Sequence, residues 1–399
     1  MWYFYSPTII FGQDSIDFLE NIDGKKVFIV TDPGIIELKL IDIITKKLKD
    51  CSKEYKIFCE VEPDPLEDTV KKAAKLCREY KPDLIIGLGG GSSMDVAKSV
   101  WAFYENDNPN FTVDDLHPFN KLNLGRKSKL IAIPTTSGTG AETTWAVIIT
   151  RVLEDGSHIK LEQANKELIP TYAIIDPIFT KKMPKKLTAS TGFDAIAHII
   201  EQLISSWNNV FSDAFAIEGY SLIREYLPRA YKNGDDEKAR EMMANAATMA
   251  GLAFGNSQVI MGHSLGHVLG ATFHIPHGVT VGLFITYVLQ FSLNDPNSDF
   301  VKKRISKFAK MVGVADWTDS EDVAVNKMLN DIKNLQKEVE LPTKISDLGI
   351  DRKVFESKLD FMARMCLESS SAVMSPRGAD SEQYKKIFLY AYDGKDIDF

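Results

Sequence analysis

The sequence predicts an α/β domain followed by an all-helical domain. Three observations predict it: the length, the alternation of apolar runs with helical patterns up to Pro184, and the loss of strand patterns after it. At 399 residues the chain exceeds one ordinary core and suits two. Val27-Phe28-Ile29-Val30 reads as a buried strand, and Ile35 to Leu48 carries apolar residues at helical spacing. Lys56 to Val61 reads as a strand, Leu66 to Tyr80 as a helix, and Leu84-Ile85-Ile86-Gly87 as a strand running into glycines. Leu130 to Ile133, Ala146 to Ile149 and Ala173 to Ile175 read as further strands. Continuous apolar strands alternating with helices imply a mostly parallel sheet covered on both faces. Beyond Pro184, helices are expected over Ala189 to Ser205, Asp213 to Tyr226, Glu237 to Ala253 and Gly278 to Ser292. The predicted domains are 1–183 and 184–399, and a crevice between two such domains is a usual place for a ligand.

Composition narrows the function. Apolar residues make up 44% of the chain and charged residues 26%, as in soluble globular proteins. The net charge of −8 argues against nucleic acid as a partner, because a phosphate-binding surface needs a basic excess. Met1-Trp2-Tyr3-Phe4-Tyr5 lacks the basic start of a signal peptide. The longest apolar stretch, near Val281 to Phe291, is too short to span a bilayer, so no membrane association is expected. Cys51, Cys59, Cys77 and Cys366 form neither a zinc pattern nor a disulfide framework, and a reduced, cytoplasmic protein is expected.

Two glycine-rich turns carry the first chemistry. Gly87-Leu88-Gly89-Gly90-Gly91-Ser92-Ser93-Met94-Asp95 follows a strand and opens a helix. Glycines let a backbone approach a phosphate, and free N–H groups at a helix start favour its charge. Ser92 replaces the third glycine of GxGxxG, and no GK[ST] follows, so this is neither a standard dinucleotide fingerprint nor a Walker loop. A plain turn without ligand is the alternative. Pro134-Thr135-Thr136-Ser137-Gly138-Thr139-Gly140 follows the next strand and could close on a pyrophosphate from the other side. Asp32 ends an earlier strand. It could bond a ribose 2′-OH and repel a 2′-phosphate, or simply cap the helix that starts at Pro33.

The second chemistry is a histidine cluster. Of seven histidines, four lie between positions 263 and 277. His263 and His267 are four apart and share a helix face, and His277 sits in a Pro-His-Gly turn. Asp194 and His198 repeat the four-residue spacing among apolar or small neighbours. An unpaired Asp on an apolar face is expensive to bury, and a metal held by one carboxylate and several imidazoles resolves this. Such a donor set suits Fe(II) or Zn(II).

These segments together resemble the iron-containing (group III) alcohol dehydrogenases. The run from Gly262 to Gly278 is similar to that family's GH…GH…PHG signature. The turn Gly89-Gly90-Gly91-Ser92-x-x-Asp95, the turn from Thr135 to Gly140 and the helix with Asp194 and His198 fall in the family's order. The resemblance implies a dehydroquinate synthase-like fold, a dinucleotide-binding α/β domain joined to a helical metal-binding domain, often dimeric or larger. It implies Asp194, His198, His263 and His277 as metal ligands, with His267 near nicotinamide and substrate. It places Gly90, Gly91, Ser92, Thr135, Thr136 and Thr139 against NAD, with Lys160 reaching toward it from a short β segment. Asp32 matches the position associated with NAD preference, and Asp95 belongs to the motif, where its role could be purely structural. Ala141, Ser375-Pro376-Arg377 and His274 depart from the family pattern; His274 is read as a pocket residue or one just outside the ligands.

The expected reaction is hydride transfer between NAD(H) and a small primary alcohol or diol and its aldehyde. The metal would act as a Lewis acid, Fe(II) ahead of Zn(II), and His267 would relay the alcohol proton or mainly position the cofactor. The alternatives are a polyol dehydrogenase, a dehydroquinate synthase-like lyase that returns its NAD unchanged, or a non-catalytic nucleotide- or metal-sensing protein that kept the fold. No Lys or Arg interrupts the ligand segments, which weighs against a polyanionic substrate. Phe254, Trp145 and Phe273 are guesses for the pocket.

Overall fold

The computed structural model describes residues 3–154, 156 and 158–399; Met1 and Trp2 of the N-terminal reading lie outside the described residues, as do Asp155 and Ser157. The chain divides into two compact units, Met1–Met183 and Pro184–Phe399. The first unit contains β1 (Thr8–Phe11), β2 (Lys26–Val30), α1 (Pro33–Glu37), α2 (Leu40–Asp50), β3 (Glu54–Phe58), α3 (Glu67–Tyr80), β4 (Leu84–Gly89) and α4 (Gly91–Glu105). β5 (Lys129–Pro134), β6 (Ala146–Val152), β7 (His158–Ala164) and β8 (Tyr172–Ile175) follow.

Six strands form one parallel sheet in the order β1-β8-β5-β4-β2-β3. The central strands β2, β4, β5 and β8 are largely apolar because both faces are covered. In β2, Phe28 and Val30 pack with Val70, Ala73 and Cys77 of α3 and with Val96 and Val100 of α4. Val27 and Ile29 point the other way, into Leu40, Ile41, Ile44 and Leu48 of α2. Ile85 and Leu130 share the first face, whereas Ile86, Leu88, Ile131 and Ile133 share the second. From β2 the chain turns toward β3 on one side, and from β4 it turns toward β5 on the other. The carboxyl ends of β2 and β4 therefore diverge, which is where open α/β sheets bind ligands.

Two local expectations needed correction, and one strand was not expected. The apolar pattern from Ile35 to Leu48 is two helices, with Lys39 between them in the left-handed region at φ 58°. In one unbroken helix, Ile35 would share its face with Lys39 and Asp42. The step at Lys39 re-phases the chain so that Ile35, Leu40, Ile41, Ile44 and Leu48 are all buried. The strand from Ala146 leaves the parallel layer and pairs antiparallel with β7 as a separate hairpin. β1 carries too short a pattern to stand out, yet it pairs with β8 at the sheet edge.

The second unit begins with α5 (Lys185–Ile204), α6 (Val210–Lys232), α7 (Glu237–Gly255), α8 (Met261–Phe273) and α9 (His277–Leu293). Further helices run from Asp299 to Asp393, and no strand occurs among its described residues. α6 continues through Pro228, beyond the end expected near Tyr226. Pro228 has no N–H to give the turn below it. Burial of Leu227, Ala230 and Tyr231 in the helical core carries the helix past it. No helix among the described residues is long and apolar enough to cross a membrane.

One buried carboxylate anchors the approach to β5. Glu105, fully buried at the end of α4, accepts from the N–H groups of Lys127 at 2.9 Å and Ser128 at 2.8 Å through Oε1. Its Oε2 accepts from Arg126 N–H at 3.1 Å. Glu105→Ala orphans these donors, and we expect a loss of about 2–4 kcal/mol in urea unfolding. Glu105→Gln keeps one acceptor and should lose less than half of that; equal losses contradict this account.

Candidate metal centre and nucleotide loops

The two glycine-rich turns meet at the diverging strand ends. Gly89 has φ +152°, and a Cβ there would strike the Ser93 side chain and lie 3.0 Å from Asp32 Oδ2. Ser93 Oγ donates to Asp32 Oδ2 at 3.1 Å, while Asp32 Oδ1 accepts from Ile35 N–H at 3.2 Å. Asp32 is thus a helix cap whose second oxygen faces the glycine loop. Thr135 N–H donates to Gly89 O at 3.0 Å. A Cβ on Gly90 would lie 3.5 Å from Thr136, and one on Gly91 would lie 3.2 Å from Thr139 Cγ2. Gly90, Gly91, Thr135, Thr136 and Thr139 therefore line one place, and Ser92 occupies the first turn of α4 beside them. That helix start has no side-chain cap and no acidic residue in its first turn, so it can receive an anion.

Two expected contacts lie elsewhere. Asp95 Oδ2 accepts from Ile148 N–H at 3.0 Å, which ties α4 to β6. Lys98, one turn on and fully buried, donates to Thr144 Oγ1 at 3.1 Å and Ala146 O at 3.0 Å. Burial pushes its ammonium down to about 8. These two residues brace the segment that follows the second turn. Lys160, on β7, is ion-paired with Asp64. Ala141 packs with Met94 and Ala132 in a small apolar cluster.

In the second unit, α5, α8 and α9 bring the acidic and imidazole side chains together. α5 puts Asp194, His198 and Glu201 on one face, at spacings of four and three. His277 is the first residue of α9, with Pro276 preceding it. A Cβ on Gly278 would collide with the Ser190 carbonyl, so only glycine lets the start of α9 sit directly on α5. Asp194 Oδ1 is the focus: His277 Nε2 lies 3.3 Å from it, His198 Nε2 3.8 Å and His263 Nε2 3.9 Å. This oxygen is buried and has no well-directed hydrogen bond.

Asp194, His263 and His277 each offer one donor atom, all within 4.8 Å of one another. His198 stands beside this trio, its ring stacked on Phe254 at 3.9 Å between centroids and on His263 at 4.6 Å. His198 Nδ1 is buried without a hydrogen-bond partner. Burial pushes His198 down to about 3, which keeps it a neutral imidazole. Burial also pushes the Glu201 carboxyl up to about 8 when no cation is beside it, and a divalent ion at Asp194 would favour its ionised form. Such a set of donors, with a buried carboxylate oxygen unsatisfied, fits a divalent cation.

His267 is half-buried, its ring 4.9 Å from that of His277. His277 has 37% of its side chain exposed, so the cluster is open on that side. His274 caps α8 in the left-handed region. Of the pocket guesses, Phe254 touches the cluster, whereas Phe273 packs near Phe355 and Trp145 near Tyr5. The motif reading missed Glu201, whose Oε1 lies 3.0 Å from His263 Nδ1. Its signal was available: a Glu three residues after His198, on the helix face that also carries Asp194.

Comparison with known proteins identifies the family. Residues 6–177 match the family described as iron-containing alcohol dehydrogenase, and residues 188–392 match the C-terminal domain of the Fe-containing alcohol dehydrogenase family. The NADPH-dependent butanol dehydrogenase of Clostridium saccharobutylicum is 36% identical over 393 residues, covering 98% of each chain. The bifunctional aldehyde-alcohol dehydrogenase AdhE of Escherichia coli (strain K12) is 34% identical over 99% of this chain, which spans only 47% of that longer protein. The crystal structure of a 1,3-propanediol oxidoreductase superposes with a TM-score of 0.88 at 28% identity, covering 98% of this chain and 100% of that one. The chain belongs to the iron-containing alcohol dehydrogenase family.

Proposed function

We propose that this protein is a metal-dependent, NAD(H)-linked alcohol dehydrogenase that interconverts a small primary alcohol or diol and its aldehyde. The observation that carries this reading is the buried Asp194 oxygen with three imidazole Nε2 atoms between 3.3 and 3.9 Å from it. The proposed ligands are Asp194, His198, His263 and His277. Nitrogen and oxygen donors without a thiolate suit Fe(II) and also Zn(II). A divalent ion there supplies the Lewis acidity that lowers an alcohol's pKa toward neutrality. His277, the candidate ligand with an exposed edge, marks the side from which the alcohol approaches. His267, next to it, is the proposed relay that passes the alcohol proton to solvent.

For the cofactor, Gly90, Gly91, Ser92, Thr135, Thr136 and Thr139 are the proposed cradle for the pyrophosphate. Lys160 would reach the cofactor only by leaving its ion pair with Asp64, and Asp95 braces the helix behind the loop. Asp32 would accept a ribose 2′-OH and repel a 2′-phosphate, which favours NAD(H) over NADP(H). The NADPH in the butanol dehydrogenase's name is a property of that relative. The names of the butanol and 1,3-propanediol enzymes support a short alcohol or diol as substrate. On this reading residues 1–183 bind the nucleotide, residues 184–399 hold the metal, and the enzyme works in the cytoplasm as a homodimer or larger assembly.

The test is NADH formation by anaerobically purified protein with short primary alcohols, diols and polyols, under Fe(II), Zn(II) or a chelator. Turnover should require metal, favour NAD over NADP, and vanish with the metal in His263→Ala. A fully active, metal-free His263→Ala protein contradicts the ligand assignment. NAD and metal binding without NADH from any alcohol would instead favour a lyase that returns its NAD unchanged. For the relay, the pH–rate profile of His267→Ala should differ from that of wild type; an unchanged profile removes His267 from proton transfer.

A further inference from the structure

We infer that Glu201 is a positioning residue for the proposed metal centre, holding the His263 ring through Nδ1 and supplying the second negative charge that balances a divalent ion. The inference rests on the metal reading above and adds to it a residue outside the ligand set. Glu201 is fully buried on α5, one turn beyond His198. Its Oε1 lies 3.0 Å from His263 Nδ1, and its Oε2 accepts the Ile260 N–H at 2.6 Å. One carboxylate thus holds both the imidazole and the entry to α8. The next free N–H of that helix, on Met261, goes to Ser375 Oγ at 3.1 Å.

A ring that donates Nδ1–H to Glu201 presents its Nε2 lone pair, and Nε2 is the atom that faces Asp194. The preceding glycine makes the contact possible. A Cβ on Gly262 would collide with Glu201 Oε1, so a larger residue there would displace the carboxylate. Charge points the same way. With Asp194 alone, a divalent ion leaves a net positive charge inside a buried helix cluster; Asp194 and Glu201 together neutralise it.

Glu201→Gln keeps the shape and changes the chemistry. With its NH2 toward Ile260, the amide sets donor against donor. With its NH2 toward His263, it donates to Nδ1 and forces the ring proton onto Nε2. Zn(II) affinity of the full-length protein, measured by chelator competition, should weaken about 10–100-fold. In Zn(II)-loaded wild type labelled with 15N-histidine, His263 should show a protonated Nδ1 in slow exchange, and the chain's seven histidines keep that spectrum tractable. A folded Glu201→Gln protein whose Zn(II) affinity changes by less than about threefold overturns the inference. So does a His263 whose Nδ1 is unprotonated in the loaded wild type, a measurement that decides the question even if the Gln variant fails to fold. Wild type that binds no Zn(II) overturns the metal reading itself and this inference with it.

Discussion

Asp194 places a carboxylate oxygen inside a helical core, within reach of three imidazoles and without a well-directed hydrogen bond. That is a costly arrangement for a protein without a cation, because an unpaired buried charge is among the most expensive groups to desolvate. The surrounding helices are built to keep it. α5, α8 and α9 come close enough to focus their side chains on one point only because glycine stands where they touch. Gly278 rests on the Ser190 carbonyl, and Gly262 leaves room for Glu201. The signature around the histidines is in this sense two statements: the histidines are the proposed donors, and the glycines set the helix separation that aims them.

The first unit applies the same economy of space to the nucleotide loops. Gly89 lies under Ser93 and Asp32, and Gly90 and Gly91 lie against Thr136 and Thr139. The loops are fixed from behind by polar groups that never reach them: Asp95 on Ile148 N–H, Lys98 on Thr144 and Ala146, and Glu105 on the strand before β5. A loop proposed to approach a phosphate largely with backbone has few side chains to hold it, so its rigidity comes from the layer below.

Much of this was legible in the sequence. Val27 to Val30 and Leu84 to Gly87 read as two-sided strands because every residue in them is apolar, and the sheet does bury both faces. The spacing of Asp194 and His198 and of His263 and His267 put each pair on one helix face. The rest depends on packing that spacing does not encode. Lys39 interrupts a helical pattern because one straight helix cannot turn Ile35 and Leu40 toward the same sheet. The edge of the hairpin, His158 to Ala164, is too polar to announce a strand. His198 shares a face with Asp194, but its stacking on Phe254 is decided by α7. Glu201 was readable as a costly buried charge, yet its partner, His263, lies 62 positions away.

The account stands or falls on what surrounds the ion. X-ray absorption spectroscopy of the Fe(II)- or Zn(II)-loaded protein tests it most directly. The account predicts nitrogen and oxygen neighbours only, at about 2.0–2.2 Å, with outer-shell scattering from three imidazoles. Sulfur scattering at about 2.3 Å, or no more than one imidazole, would contradict it.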